Sequence, residues 1–369
     1  MFRAGRKRGG PSGGFWIVLI FGLLIPAIGR AAAWEEEWDR VVKAAKREGK
    51  ITMFGPTGAD RRDALTIPFQ QKYGITVEYW ADPVTGVPPR VSAERQAGKY
   101  LWDVIVAGAI EDVILPMAVL EPLEPALILP EIKDAKLWRN GTLEFLDPGR
   151  QVLVMSPFQR GTLFVNTQLV KPTEFKSYKD LLDPKWKGKI VTDDPRRPGP
   201  GQATFTFFFL HPELGPEFIR ALARQDLQIL RDYGQEIDAI GRGKNPIVIG
   251  TSDSLVEERI KQGIPIAIVD PRQLREGSDI SPASGMVGLF NKAPHPEAAK
   301  VYLNWLLSKE GQTHFVRATG YVSNRLDVPT DHAAAWRVPQ PGAIKTYGLG
   351  ARRDARAKLT PLTQELFGR

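Results

Sequence analysis

The sequence predicts a two-domain α/β protein, and three observations carry that prediction. Its segments read repeatedly as strand, loop, helix and strand, the pattern of sheets covered by helices. At 369 residues the chain is longer than one typical core encloses, which argues for two domains. It also has no cysteine, so both must be held by packing alone. The missing thiols exclude cysteine nucleophiles, cysteine-ligated zinc and iron–sulfur clusters.

Residues 1–33 read as an export leader. Arg3, Arg6, Lys7 and Arg8 form a basic start, Phe15 to Ile28 is an apolar run, and Ala31-Ala32-Ala33 is a small-residue cleavage site. The run is too short to span a bilayer comfortably, although an uncleaved anchor stays open. The leader holds five basic residues (Arg30 is the fifth) and no acidic one. Removing it leaves 45 basic against 42 acidic residues, so the formal +8 becomes +3 and the basicity no longer argues for a nucleic-acid partner.

After the leader, Glu35 to Gly49 is an amphipathic helix with acids early, bases late and a terminal glycine. Ile51 to Phe54 reads as a strand running into Gly55-Pro56-Thr57-Gly58. A helix starts at Ala59, with Thr57 and Asp60 spaced as a capping box, and Pro68 is expected to kink or end it. Ile75 to Tyr79 is the next strand, Val91 to Gly98 a helix, and Trp102 to Val106 a buried strand ending at Ala107-Gly108-Ala109. Gln151 to Val165 has strand character and contains Arg160.

A second series is organised around Leu181 to Phe209. Asp183-Pro184 stops a helix, Ile190 to Thr192 is a short buried strand, and Pro195 to Gly201 continues neither kind of element. From Gln202 the run ATFTFFFL reads as a helix driven into a core. A glycine-rich turn between strand and helix leaves free N–H groups that favour an anion, or simply connects the two. A helix is expected over Pro216 to Leu230, strands over Pro246 to Gly250 and Ile266 to Val269, and a helix over Val256 to Gln262. Strand Met286 to Phe290 then leads to a helix over Pro296 to Leu307, where Ala299, Tyr302, Leu303 and Leu306 share one face. Trp305 reads there as core rather than as a ligand platform.

Several phrases, in order, resemble one family. They are LLDPKWKGKI followed by DDP, Gly241-Arg242-Gly243-Lys244 before Pro246-Ile247, APHPEAAKVYLNWLLSKEGQ at Ala293 to Gln312, and GYVSNRLDV at Gly320 to Val328. From about Trp34 onward the chain is similar to the extracellular solute-binding proteins of ABC importers, family 1, in the ferric-iron-binding branch. The resemblance implies a periplasmic type II binding fold, with two α/β lobes, a hinge and a ligand in the cleft. It also implies a membrane permease and ATPase as partners. The expected organisation is lobe 1 over 34–155, lobe 2 over 156–280, and the second part of lobe 1 with a C-terminal helical tail over 281–369. The crossings are expected near Val152 to Thr162 and Ser278 to Met286.

Ferric-binding members use adjacent tyrosines after the strand matching Pro246 to Gly250, and a histidine after the first strand. Here those positions hold Thr251-Ser252-Asp253-Ser254 and Thr57-Gly58, and no two tyrosines are adjacent. His211, His295, His314 and His332 lie outside the expected cleft loops and read as surface or capping residues. No metal or cofactor is therefore expected, and iron is the alternative that Asp253 keeps open. The expected cleft residues are Thr57, Gly58, Gly108, Ala109, Gly199, Gly201, Thr204, Thr251, Ser252 and Asp253. Hydroxyls and backbone amides of this kind suit a small carboxylate, phosphate or phosphonate. Arg160 is either a bidentate clamp on that ligand or a solvated charge. Arg196 and Arg197 pose the same choice, and Asp193-Asp194 either caps its loop or meets a cation. The chain lacks G-x-S-x-G and H-E-x-x-H, so an exported hydrolase is the weaker alternative class. The expectation is a monomeric periplasmic protein that closes on a small anion.

Overall fold

The computed structural model describes residues 25–368. The basic start of the expected leader and most of its apolar run lie outside the described residues. The first helix, α1 (Ile25–Glu48), includes the expected cleavage site at Ala33. No helix among the described residues is long and apolar enough to cross a membrane.

The chain then runs β1 (Lys50–Gly55), α2 (Ala59–Tyr73), β2 (Thr76–Ala81), α3 (Val87–Gln96), β3 (Val104–Ala107) and the single turn α4 (Ile110–Val113). Next come β4 (Leu120–Glu121), the short α5 (Pro130–Lys133), β5 (Glu144–Phe145), β6 (Val152–Val154) and β7 (Phe158–Gln159). The second half is β8 (Leu163–Asn166), β9 (Ile190–Asp193), α6 (Pro200–Leu210), α7 (Gly215–Ala223), β10 (Gln228–Leu230), α8 (Tyr233–Gly241) and β11 (Ile247–Ile249). It continues with α9 (Asp253–Lys261), β12 (Ile266–Ile268), β13 (Ile280–Ser281), β14 (Met286–Phe290), α10 (Pro296–Leu307), α11 (Lys309–Thr319) and α12 (Ala351–Phe367).

Two mixed sheets result. The first has the order β2-β1-β3-β14-β6-β5, with β4 also on β14; β1 is parallel to β2 and β3, and β14 is antiparallel to β3 and β6. The second has the order β10-β9-β11-β8-β12, with β9 parallel to β10 and β11. Between them β7 and β13 pair antiparallel, so the chain leaves the first sheet through β7 and returns through β13. Ile280 N–H also donates to the Ile344 carbonyl (2.8 Å), which lays the C-terminal segment beside these crossings.

Each sheet has its own core. Leu65, Phe69, Tyr302 and Trp305 pack on β1 in the first lobe, and Trp305 is buried there. Phe205, Phe207, Phe208 and Tyr178 fill the second, each large apolar side chain contributing about 1.5–3 kcal/mol. Buried Asn304 ties α10 to the loop before α5, accepting from the Ile128 and Leu129 amides at 2.8 and 3.0 Å.

Several elements differ from expectation. The helix expected over Pro216 to Leu230 is two elements: Asp226 takes a positive φ of 53°, which ends the helix, and Gln228–Leu230 pairs with β9. Helix α8 was not expected. Pro68 lies inside α2, which continues to Tyr73. Thr57 and Asp60 form no capping box; Gly58 is the N-cap, and no side chain caps the first turn. The C-terminal helix, grouped by sequence with the second part of lobe 1, places Leu359, Leu362 and Phe367 in the core of the second lobe.

Candidate functional site

Parallel strands leave their carboxyl ends, and the helix N-termini that follow, facing the space between the sheets. On the first lobe that edge is the turn from β1 to α2. Gly55 is required there, because a Cβ would lie 2.2 Å from the Tyr79 ring. The Tyr79 hydroxyl in turn donates to the Pro56 carbonyl (2.6 Å) and fixes the loop. Thr57 and Gly58 are exposed, and Arg61 Nη1 donates to the Thr57 carbonyl at 3.3 Å. Arg61 has no carboxylate within ion-pair distance among the described residues. Gly108 and Ala109 form the second loop of this face; a Cβ on Gly108 would meet the Ala283 carbonyl oxygen at 2.4 Å, and Ala109 has a positive φ of 52°.

The second lobe treats its N-termini differently. At α6, Gly199 is the N-cap, and Asp193 Oδ2 accepts from the Gly201 amide at 2.9 Å. The place expected for a ligand anion is thus filled by the chain's own carboxylate. Asp232 caps α8 by accepting from Gln235 N–H (2.8 Å), and Ser252 caps α9 by accepting from Leu255 N–H (3.4 Å). Thr204 and Thr251 are fully buried, and the Thr204 hydroxyl has no hydrogen-bond partner. Beside Thr251 lies buried Glu236; burial pushes its carboxyl up to about 8, the Thr251 hydroxyl only partly opposing this.

The candidate arginines are already engaged. Arg160, 6% exposed, pairs with Asp279 (3.3 Å) and donates through Nη2 to the Pro200 carbonyl (3.3 Å), so it braces the crossings and is not a solvated charge. Arg196 binds Asp194 through its Nε (2.7 Å) and Nη2 (2.8 Å), and Arg231 adds a third donor. Burial opposes the charge on Asp194, but these arginines hold its carboxyl down at about 2. Asp193 and Asp194 are therefore capping and pairing groups.

Asp253, the residue that kept iron open, is also occupied. Its Oδ2 accepts from Gly161 N–H (3.4 Å) and from Arg337 Nη1 (3.2 Å). Arg337 arrives from the segment after Val328, which sequence reasoning left unread, and it also grips Glu257.

Between the lobes a cavity of about 570 Å³ is lined by Asp60 and Arg61 of α2, by Ser254, Glu257, Glu258 and Lys261 of α9, by Arg317 to Gly320 at the end of α11, and by His332 and Arg337. His332 therefore faces the cleft, contrary to expectation; its Nε2 donates to the Tyr321 carbonyl at 2.7 Å. His295 pairs with buried Asp103 (2.9 Å) and lies in the first lobe. None of the expected cleft residues lines this cavity; Thr57-Gly58 and Ser252-Asp253 only precede in sequence the Asp60-Arg61 and Ser254 that do. Gly199 and Gly201 sit at the start of α6 beside Asp193, Thr204 is buried in α6, Arg160 braces the crossings, and Gly108-Ala109 form the first lobe's second loop. Arg61, Lys261 and Arg337 were missed. Only Arg61, four residues past an expected loop residue, carried a local signal.

Two α/β lobes joined by two strand crossings, with a cavity between the lobes, define a type II periplasmic binding protein. The chain belongs to the bacterial extracellular solute-binding proteins, whose family model matches residues 64–340. The same fold occurs in FutA of Trichodesmium, solved with iron and citrate, at TM-score 0.65 and 19% identity, covering 87% of this chain and all of that one. It occurs in iron-bound HitA of Pseudomonas aeruginosa, at TM-score 0.64 and 16% identity over 86% and 99% of the two chains. AfuA of Actinobacillus pleuropneumoniae, solved with fructose-6-phosphate, gives TM-score 0.60 and 18% identity over 87% and 99%. An uncharacterised protein of Haemophilus influenzae is 31% identical over 140 residues, or 37% of this chain and 38% of that protein's length.

Proposed function

We propose that the chain is the periplasmic substrate-binding component of an ABC importer, taking a small organic or phosphate-type anion between its lobes. The observation that carries this reading is a pair of cations from opposite lobes. Arg61 and Lys261 both line the interlobe cavity, and neither has a carboxylate within ion-pair distance among the described residues. Arg61 stands in the first turn of α2, whose amides no side chain caps, so the helix dipole adds to its field. A charge-assisted hydrogen bond contributes roughly 1.5–3 kcal/mol, and one from each lobe stabilises the closed form over the open one. The cavity falls within the usual range for small ligands, roughly 300–1,000 Å³.

In this cycle the solute settles on the first lobe, the second closes through β7 and β13, and a membrane permease with its ATPase receives the closed form. No covalent step is involved. The protein acts as a monomer outside the cytoplasmic membrane after cleavage of the leader behind Ala33, and it needs neither nucleic acid nor cofactor. Of the neighbours, the fructose-6-phosphate complex fits this site better than the iron complexes, because the carboxylate at the start of α9 already holds Arg337.

Native mass spectrometry of the freshly purified protein, with a thermal-shift screen, tests the reading. Organic phosphates, phosphonates or carboxylates are expected to raise the melting temperature, and ferric citrate to leave it unchanged. A red-brown iron complex with a charge-transfer band would overturn it.

A further inference from the structure

Arg337 is a fully enclosed charge beside the cleft. It is 1% exposed, although it comes from a stretch of alanines and prolines with almost no regular structure. Its Nε donates to Glu257 Oε1 at 3.0 Å, its Nη2 lies 3.0 Å from Glu257 Oε2, and its Nη1 donates to Asp253 Oδ2 at 3.2 Å. Both carboxylates stand in the first two turns of α9. The guanidinium also lies over two aromatic rings, 5.0 Å from the Phe158 centroid and 4.7 Å from that of Trp336. A bidentate fork, a second carboxylate and two π faces use every side of the group.

The placement decides the sign of the cavity. Asp60, Glu257 and Glu258 line it against Arg61, Lys261, Arg317 and Arg337, so without Arg337 the acids would equal the remaining bases and Asp253 and Glu257 would stand unpaired. Two adjacent unpaired carboxylates there would attract any hard cation that entered. A tethered guanidinium removes that attraction permanently, because it neither dissociates nor deprotonates at any physiological pH.

We propose that Arg337 is a charge-selectivity residue of the cleft, an internal cation that occupies Asp253 and Glu257 of α9 so that metal ions and cationic solutes do not find that carboxylate pair open. The part concerning cations stands on geometry alone. The consequence for anions rests on the function proposed above.

The experiment titrates the full chain and its variants with Tb³⁺, read by emission sensitised from Trp336, and separately with inorganic phosphate by calorimetry. Wild type is expected to show no saturable Tb³⁺ signal. Arg337→Met is expected to gain one at least about tenfold tighter than any residual wild-type binding, or about 1.4 kcal/mol. Arg337→Lys, which keeps the charge, should not gain it, and adding Asp253→Asn and Glu257→Gln to Arg337→Met should abolish it. Should Arg337→Met fail to fold, Asp253→Asn/Glu257→Gln with Arg337 retained still decides the matter. That variant is expected to bind phosphate about tenfold tighter than wild type. Saturable Tb³⁺ binding by wild type, no gain in Arg337→Met, or unchanged phosphate affinity in the double variant overturns the proposal. A wild type that ignores phosphate and every other anion defeats the anion reading instead, while the Tb³⁺ arm still judges Arg337.

Discussion

The two lobes meet the cleft with the same kind of element, a helix N-terminus after a parallel strand, but finish it in opposite ways. The first lobe leaves α2 uncapped with Arg61 unpaired beside it. The second lobe answers its own helices: Asp193 takes the Gly201 amide, Ser252 and Asp232 cap α9 and α8, and Arg337 closes over Asp253. A satisfied N-terminus has little left to offer a ligand. Under the proposed function, the grip on an anion would fall mainly to the first lobe, with the second supplying Lys261 and a closing surface.

The largest expected effect comes from cutting the bracing. Arg160→Ala leaves Asp279 buried without its charge partner and should cost about 3–5 kcal/mol in denaturant unfolding. It should barely alter phosphate affinity in the protein that remains folded, and a selective loss of affinity would make Arg160 a ligand clamp after all. Arg61→Ala should do the reverse, lowering affinity for phosphate-type ligands by roughly 10- to 100-fold, or about 1.5–3 kcal/mol, with stability within about 0.5 kcal/mol. Asp193→Ala removes the carboxylate at α6 and should cost about 1 kcal/mol of stability; if it instead abolished binding, the second lobe would be the gripping one.

Two further effects are in pH dependence. Glu236 holds its proton up to about pH 8 when folded but releases it near 4.5 when unfolded, so the unfolded state binds fewer protons between those values and stability falls as pH rises through them. Glu236→Gln should flatten that slope. Asp194, held at about 2, has the opposite sign: its contribution is present above the unfolded value near 3.8 and is lost as pH falls through about 2. Arg196→Ala should weaken that acid-side loss.

Much of the frame was legible because it is local. The face shared by Tyr302, Leu303 and Leu306 marked α10 at its observed bounds, and Met286–Phe290 stood out as an apolar run between turn residues. Helix α8 escaped because YGQEIDAIG has glycines near both ends and a short apolar stripe. The run from Pro216 to Leu230 kept helical spacing across a break that only the pairing of Gln228 with Val191 reveals. In the site, loop composition marked where the cleft would be, but not which polar groups were already used. That depends on partners distant in sequence, such as Arg337 for Asp253 and Asp279 for Arg160. Composition alone therefore could not show that Gly201 and Arg160 already have partners within the chain.

Peptide-resolved hydrogen exchange, with and without a saturating organic phosphate, tests most directly which lobe holds the solute. Protection should appear first and most strongly at residues 57–62, at the start of α2, with the amides at 199–203 unchanged because Asp193 already engages that turn. Protection confined to 199–203, with 57–62 unaltered, would contradict the account.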